Sequence, residues 1–254
     1  MENQGYRVSV IILTWNHLEY TEKAVTSLIP ILKPNDEVIF VDNLSTDGTQ
    51  EYLRGVELPC DKILLSPLER SGIGVCYNIG FQNARGEYIF IYDNDLEIVM
   101  SNTLDHMIEV FTNNSKAGIV CPCCNNIIGS LRSFKSANKL PNDVVEITIG
   151  RKKWWPECPS AAWLISRYCL DKVGVWDEYF DPYGIGDYDY GRRVILAGFS
   201  ILCDRFVFVH HYGCITSSNY VDSKLLDEAR NKFYKKWAAD VHVPKGMIPP
   251  APKQ

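Results

Sequence analysis

The chain has 254 residues, 46% hydrophobic and 22% charged, enough for one large domain or two small ones with an ample core. A net charge of −5 argues against a general nucleic-acid binder. Met1 to Arg7 carries no apolar signal core and no apolar run reaches membrane-spanning length, so a cytoplasmic protein without a transmembrane segment is expected.

The first half alternates between two periodicities. Val8 to Leu13 reads as a β-branched strand, and Glu19 to Leu32 repeats apolar residues at helical spacing through Ala24, Val25, Leu28, Ile31 and Leu32. Glu37 to Val41 is a second strand, after which Ser45-Thr46-Asp47 predicts the cap of a short helix through Leu53. Lys62 to Leu65 is a third strand and Ile73 to Ala84 a helix. Gly86 separates that helix from an apolar strand ending at Asp93. Asn102 to Thr112 and Ala117 to Cys121 supply another helix and strand. Strand and helix in this alternation predict an α/β domain with a mostly parallel central sheet flanked by helices.

The second half is less regular. Val144 to Ile149 alternates like an edge strand, Ala161 to Ile165 is a short apolar strand, and Asp187 to Ala197 is a helix stopped by Gly198. Two short strands, Ile201 to Cys203 and Phe206 to Val209, flank Asp204-Arg205, and Asp222 to Trp237 is an amphipathic helix with a basic face. One domain over 1–242 is expected, with a nucleotide-binding front at about 7–121 and an acceptor-binding back with a smaller β element at about 122–242. A proline-rich tail follows at 243–254.

Chemistry concentrates where strands end. Tyr88 to Tyr92 drives an apolar strand into Asp93-Asn94-Asp95, two carboxylates with one residue between them. Their mutual repulsion is relieved by a cation, and a divalent cation holding a diphosphate suits oxygen ligands; an Asx turn is the competing reading. No glycine-rich phosphate loop is present, so phosphate would be handled by metal and side chains. Asp42 also ends a strand, where a carboxylate can bond a ribose or a base. Asp187 and Asp189 open a helix, a placement that suits either a satisfied helix N-terminus or a catalytic base. His210-His211 follows a short strand and is a candidate metal pair. The nine cysteines are odd in number and mostly in apolar contexts, which fits reduced thiols; Cys121-Pro122-Cys123-Cys124 lacks a second pair to complete a zinc site.

Taken in order, several segments resemble the family-two inverting, nucleotide-sugar-dependent glycosyltransferases of GT-A (Rossmann-like) fold. These are Val8 to Asn16, Val41 to Thr49, Asn78-Ile79-Gly80 with Ala84 to Ile89, Asp93-Asn94-Asp95, Val173 to Phe180, Asp187 to Phe199, and Val209 to Gly213 with Thr216. The resemblance implies a single inverting displacement at the anomeric carbon, with Asp187 as general base. Mn2+ or Mg2+ would be held by Asp95 with Asp93 assisting and His210 or His211 completing the shell. The donor would be bound by Thr14, Asn16, Asp42, Arg70, Asn78 and Asp93, with a UDP-sugar favoured. The acceptor, a carbohydrate, lipid-linked or protein hydroxyl, would meet Trp155 and Asp189. Arg151-Lys152-Lys153-Trp154-Trp155 offers a peripheral membrane contact as an alternative location. Three residues depart from the family pattern: Gly186 stands where Glu usually precedes the base, Trp176 replaces a usual Phe, and Arg70 stands where Asn is common before the Ile73 helix. The first of these leaves open a catalytically inactive nucleotide-sugar-binding module. A nucleotidyltransferase would need a glycine-rich triphosphate loop that Thr14-Trp15-Asn16-His17 does not supply.

Overall fold

The computed structural model describes residues 5–125, 132–147, 160–213, 215 and 223–237. Trp154, Trp155, the basic run 151–153, Thr216 and the tail 243–254 lie outside them.

Among the described residues, nine strands form one sheet: β1 (Val8–Thr14), β2 (Glu37–Asp42), β3 (Asp61–Leu65), β4 (Tyr88–Tyr92), β5 (Leu96–Ile98), β6 (Ala117–Cys124), β7 (Val144–Ile147), β8 (Ala162–Ser166) and β9 (Ser200–His211). Their order is β3-β2-β1-β4-β8-β6-β9-β5, with β7 also paired to β9. The block β3-β2-β1-β4 is parallel. β8 runs antiparallel between β4 and β6, and β6 is parallel to β9. Six strands therefore share one direction, and β5, β7 and β8 oppose it.

Helices cover both faces: α1 (Leu18–Leu28), α2 (Thr49–Gly55), α3 (Ile73–Asn83), α4 (Thr103–Asn113), α5 (Arg167–Val173), α6 (Gly186–Leu196) and α7 (Ser223–Trp237). Burial from both sides explains why all six residues of β2 are buried and why Val38 to Val41 read as a continuous apolar run. Alternate residues feed two cores. Val10, Ile12, Phe40 and Phe90 pack with Val25 of α1 and Met107 of α4. Ile11, Ile39, Ile89 and Ile91 pack with Phe81 of α3, Leu170 of α5 and Val194 of α6. No helix among the described residues is long and apolar enough to cross a membrane.

Three expectations change in detail. α1 ends at Leu28, and a 3₁₀ turn over Ile29–Ile31 carries Pro30 where an α-helix would have to continue. α2 begins at Thr49, behind Gly48 at φ 96°. Of the three expected capping residues, Ser45 Oγ is bonded to the neighbouring turn described below, and Asp47 reaches the helix, its Oδ1 accepting the Thr49 N–H at 3.2 Å. The two short strands expected around Asp204 are one strand, β9, kinked where the register jumps from Pro122↔Asp204 to Cys123↔Phe208. Asp204 folds inward at that kink, accepting the Phe206 N–H at 3.0 Å and meeting His106 Nδ1 at 2.7 Å. Cys121, Cys123 and Cys124 are buried along β6, and no cluster of metal-holding side chains forms among the described residues.

Candidate active site

The parallel strands β1, β2 and β4 end at one edge, which is where open α/β sheets bind ligands. At the first two ends, two turns are laced together. Thr14 Oγ1 donates to Asp42 Oδ2 at 2.8 Å. The Ser45 N–H and Gln50 Nε2 donate to Asp42 Oδ1, both at 2.8 Å, and Ser45 Oγ donates to Oδ2 at 2.5 Å. Asp42 is fully buried with four bonds on its two oxygens, so it builds the turn; the expected bond to a ribose or base is not open to it in this arrangement. Asn16, at φ 55°, accepts the Thr46 N–H at 2.8 Å, and its own N–H donates to Ser45 Oγ at 2.7 Å. Beside these turns the Arg70 guanidinium lies 3.5 Å from the centre of the Trp15 ring.

At the end of β4 the carboxylates diverge. Asn94 points back to α1 and donates to Thr21 Oγ1 at 3.1 Å, which turns the chain sharply. Asp93 accepts Tyr77 O–H at 2.8 Å. Burial first, and then the charge of Asp95, push the Asp93 carboxyl up to about 7. Asp95 Oδ1 lies 3.4 Å from His211 Nε2. For His211, burial disfavours the charged ring. Contact with Asp95 and the charges of Asp95 and Asp93 outweigh it and raise the imidazole above its ordinary value. Two crowded carboxylates, one of them facing an imidazole nitrogen, form a donor set that fits a divalent cation. No three such side chains already converge among the described residues, so the protein would supply part of a coordination shell and leave the rest to ligand oxygens.

The β5–β9 register separates the two histidines. His211 stands opposite Leu96 and His210 opposite Glu97, so the two rings face opposite sides of the ribbon. His210 turns away from Asp95 into a shallow cavity of about 400 Å³ shared with Glu97, Lys135 and Phe208. Its expected metal role is corrected accordingly.

Asp187 lies in the first turn of α6. The Tyr188 N–H donates to its Oδ1 at 2.9 Å and the Ser160 N–H to its Oδ2 at 3.3 Å. Burial dominates and lifts its carboxyl to about 6, within the useful range for a base near neutrality. A Cβ on Gly186 would sit 2.2 Å from Trp176 Nε1. The indole thus fills the space beside Gly186, and these two departures from the family pattern, Gly186 and Trp176, are one packing arrangement. Trp176 stacks on Tyr190 (5.3 Å, 10°) and on Tyr77 (5.0 Å, 30°), the same Tyr77 that bonds Asp93. An aromatic column therefore joins the Asp93 turn to the helix carrying Asp187.

Two further expectations are corrected by what their side chains touch. Asn78 is buried: its Nδ2 donates to the Trp176 carbonyl (3.1 Å) and to Glu178 Oε1 (2.8 Å), and its Oδ1 accepts the Trp176 N–H (2.9 Å). Its amide is spent holding the Trp176 backbone and does not face a nucleotide. Asp189 is fully buried, paired with Arg193 (2.9 Å) and Lys236 (2.6 Å) and accepting Trp237 Nε1–H (3.0 Å). It locks α6 to α7 and is closed to an acceptor. Trp163 is core, packed against both Trp176 and Tyr190.

Sequence reasoning missed Tyr77, Asn125 and Arg132. Arg132 is fully buried, donates from Nε to the Pro122 carbonyl at 2.9 Å, and its charge favours the ionised form of Asp187. None of the three stands in a spacing that marks it; only the fold brings them to the strand ends.

The family model described as Glycosyl transferase family 2 matches residues 9–174. An uncharacterized glycosyltransferase of Nostoc sp. is 26% identical over 172 residues, covering 66% of this chain and 53% of the relative. A putative teichuronic acid biosynthesis glycosyltransferase, TuaG of Bacillus subtilis, is 36% identical over 96 residues, 37% of this chain and 38% of the relative. The chain spans about half the length, or less, of these curated relatives. Among solved structures, the mannosyltransferase PcManGT of Pyrobaculum calidifontis in complex with GDP-Man and Mn2+ superposes with a TM-score of 0.66 at 19% identity. That match covers 96% of this chain and 67% of the other. S. aureus TarS 1–349 in complex with UDP-GlcNAc gives 0.64 at 17% identity, covering 95% and 78%. At these identities the likeness shows the shared GT-A fold.

Proposed function

Because the chain belongs to glycosyl transferase family 2, we propose that it moves a sugar from a nucleoside-diphosphate sugar to an acceptor hydroxyl, with inversion, using Asp187 as general base. The observation that carries the proposal is a convergence at the end of β4: Asp95 faces His211, Asp187 is near enough for its charge to raise the Asp93 carboxyl, and the column Tyr77–Trp176–Tyr190 joins that turn to α6. The donor lies over the laced turns of Thr14 and Asn16, with Arg70 at their margin and the Asp42 carboxylate holding the turn from below. Asp95 and His211 would hold Mn2+ or Mg2+, which would supply charge neutralisation to the leaving diphosphate. Asp93, bonded to Tyr77, stands beside Asp95 and orients the ribose or a water. Asp187 takes the acceptor proton as the hydroxyl attacks the anomeric carbon, and no covalent enzyme intermediate is formed. A UDP-sugar is the favoured donor, and the acceptor is a carbohydrate, lipid-linked or protein hydroxyl.

The test is a panel of UDP-, dTDP- and GDP-sugars with Mn2+, read as nucleoside diphosphate release and as thermal shift. Release with one nucleotide supports the assignment. Absence of both release and nucleotide-dependent shift across the panel refutes it. Tight nucleotide-sugar binding without release on any acceptor would favour the inactive module suggested by Gly186.

A further inference from the structure

His211 meets Asp95 because the end of β9 is held in one orientation, and its neighbours show how. β6 pairs with β9 in parallel as far as Cys124↔Val209. At Cys124 the main chain of β6 turns to the 132–134 segment. The Cys124 N–H donates to the Arg132 carbonyl at 2.9 Å, and the Phe134 N–H to the Cys124 carbonyl at 3.0 Å. The side chain of Asn125 takes the place of the next ladder peptide. Its Oδ1 accepts the His211 N–H at 2.7 Å and its Nδ2 donates to the His211 carbonyl at 2.9 Å.

A primary amide carries the same donor and acceptor pair as a peptide, so two bonds to one residue fix the orientation of both its peptide planes. From the other edge, His211 stands opposite Leu96 and the Tyr212 N–H donates to the Asp95 carbonyl at 3.0 Å. The backbone of His211 is gripped on both sides, and in a strand the side-chain direction follows the backbone. Without that grip, a slip of one residue exchanges the face of His211 for that of His210, which points away from Asp95.

We infer that Asn125 is a positioning residue for the metal: its amide aims His211 at Asp95 and so sets cation affinity. The inference rests on the proposed reading that Asp95 and His211 hold a divalent cation. Removing the amide leaves both ligands chemically intact but misaligned, and the affinity falls about tenfold, the low end of losses seen when support behind a metal ligand is removed.

The test titrates Mn2+ into the purified full chain with UDP or GDP present, reading free Mn2+ by electron paramagnetic resonance. Asn125→Ala should raise the Mn2+ Kd about tenfold. The Mn2+ concentration giving half-maximal turnover should rise by the same factor, and kcat should recover at saturating Mn2+. If Asn125→Ala does not fold, Asn125→Ser carries the same expectation with a smaller shift. A variant that binds Mn2+ with wild-type affinity, or whose kcat stays low at saturating Mn2+, overturns the inference, since a purely structural defect behaves that way. A wild-type chain that binds no Mn2+ with either nucleotide overturns the metal reading itself, which separates the two failures.

Discussion

Replacing Asp187 by Asn removes a proton acceptor and, at the same time, a charge that the fold holds at a cost. The carboxyl is lifted from 3.8 to about 6, chiefly by burial. At about 1.36 kcal/mol per unit, that is roughly 3 kcal/mol of stability lost when the group is ionised in the native state. Asn cannot accept both the Tyr188 and Ser160 N–H bonds as a carboxylate does, which returns about 1 kcal/mol. Partial solvent access lowers the gain further, so a net stabilisation of about 1 kcal/mol is expected, a Tm rise of about 2–4 °C for a domain this size. The sign follows from proton binding. Between pH 4 and 6 the native state binds more protons than the unfolded chain, so wild-type stability falls as pH rises through this window. The advantage of the Asn variant is therefore full above about pH 6 and gone below about pH 4. Turnover behaves oppositely: the variant should lose about 10²- to 10⁴-fold in kcat with donor affinity retained. Wild-type kcat/KM should fall tenfold per pH unit below about 6. Parallel thermal scans at pH 4 and 8, with a pH–rate profile, check both halves. A variant that keeps its activity, or that is destabilised at pH 8, would refute the assignment of Asp187 as a buried base.

His211→Ala should weaken Mn2+ binding by at least tenfold while His210→Ala leaves it unchanged, measured by titration with nucleotide present; equal effects would contradict the β5–β9 register. Gly186→Ala should destabilise by about 1–3 kcal/mol, because the new methyl meets an indole wedged between two tyrosines. Adding Trp176→Phe should return part of that loss, and denaturant unfolding of the single and double variants tests the coupling. Asn78→Ala should cost about 2–3 kcal/mol by stranding the Trp176 peptide groups, and Asn78→Asp at least as much, since it sets a carboxylate beside Glu178. Urea midpoints would decide this, with an unchanged midpoint counting against the clamp.

The front of the fold was legible because its strands and helices carry complete periodic patterns, each long enough to declare a period. β5, three residues long, is too short for that. The site was legible only at the level of residue type. Asp95 and Asp187 stand where a strand end and a helix start put them. Asp42, Asn78 and Asp189 look equally functional in sequence, yet each is turned inward by partners 28 to 98 residues away. The choice between His210 and His211 depends on a pairing register, and a register involves two distant strands. Trp176 and Gly186 looked like separate oddities ten residues apart; only packing shows that one makes room for the other.

The column Tyr77–Trp176–Tyr190 also has an optical consequence. Three aromatic rings held at fixed distances, each neighbouring pair within 30°, form an asymmetric chromophore, and near-ultraviolet circular dichroism responds to such fixed packing. One ring belongs to the helix before the Asp93 strand and another to the helix that carries Asp187. Loosening of one against the other would therefore erase this band while the far-ultraviolet helix signal persists, so the protein contains its own label for the integrity of that junction.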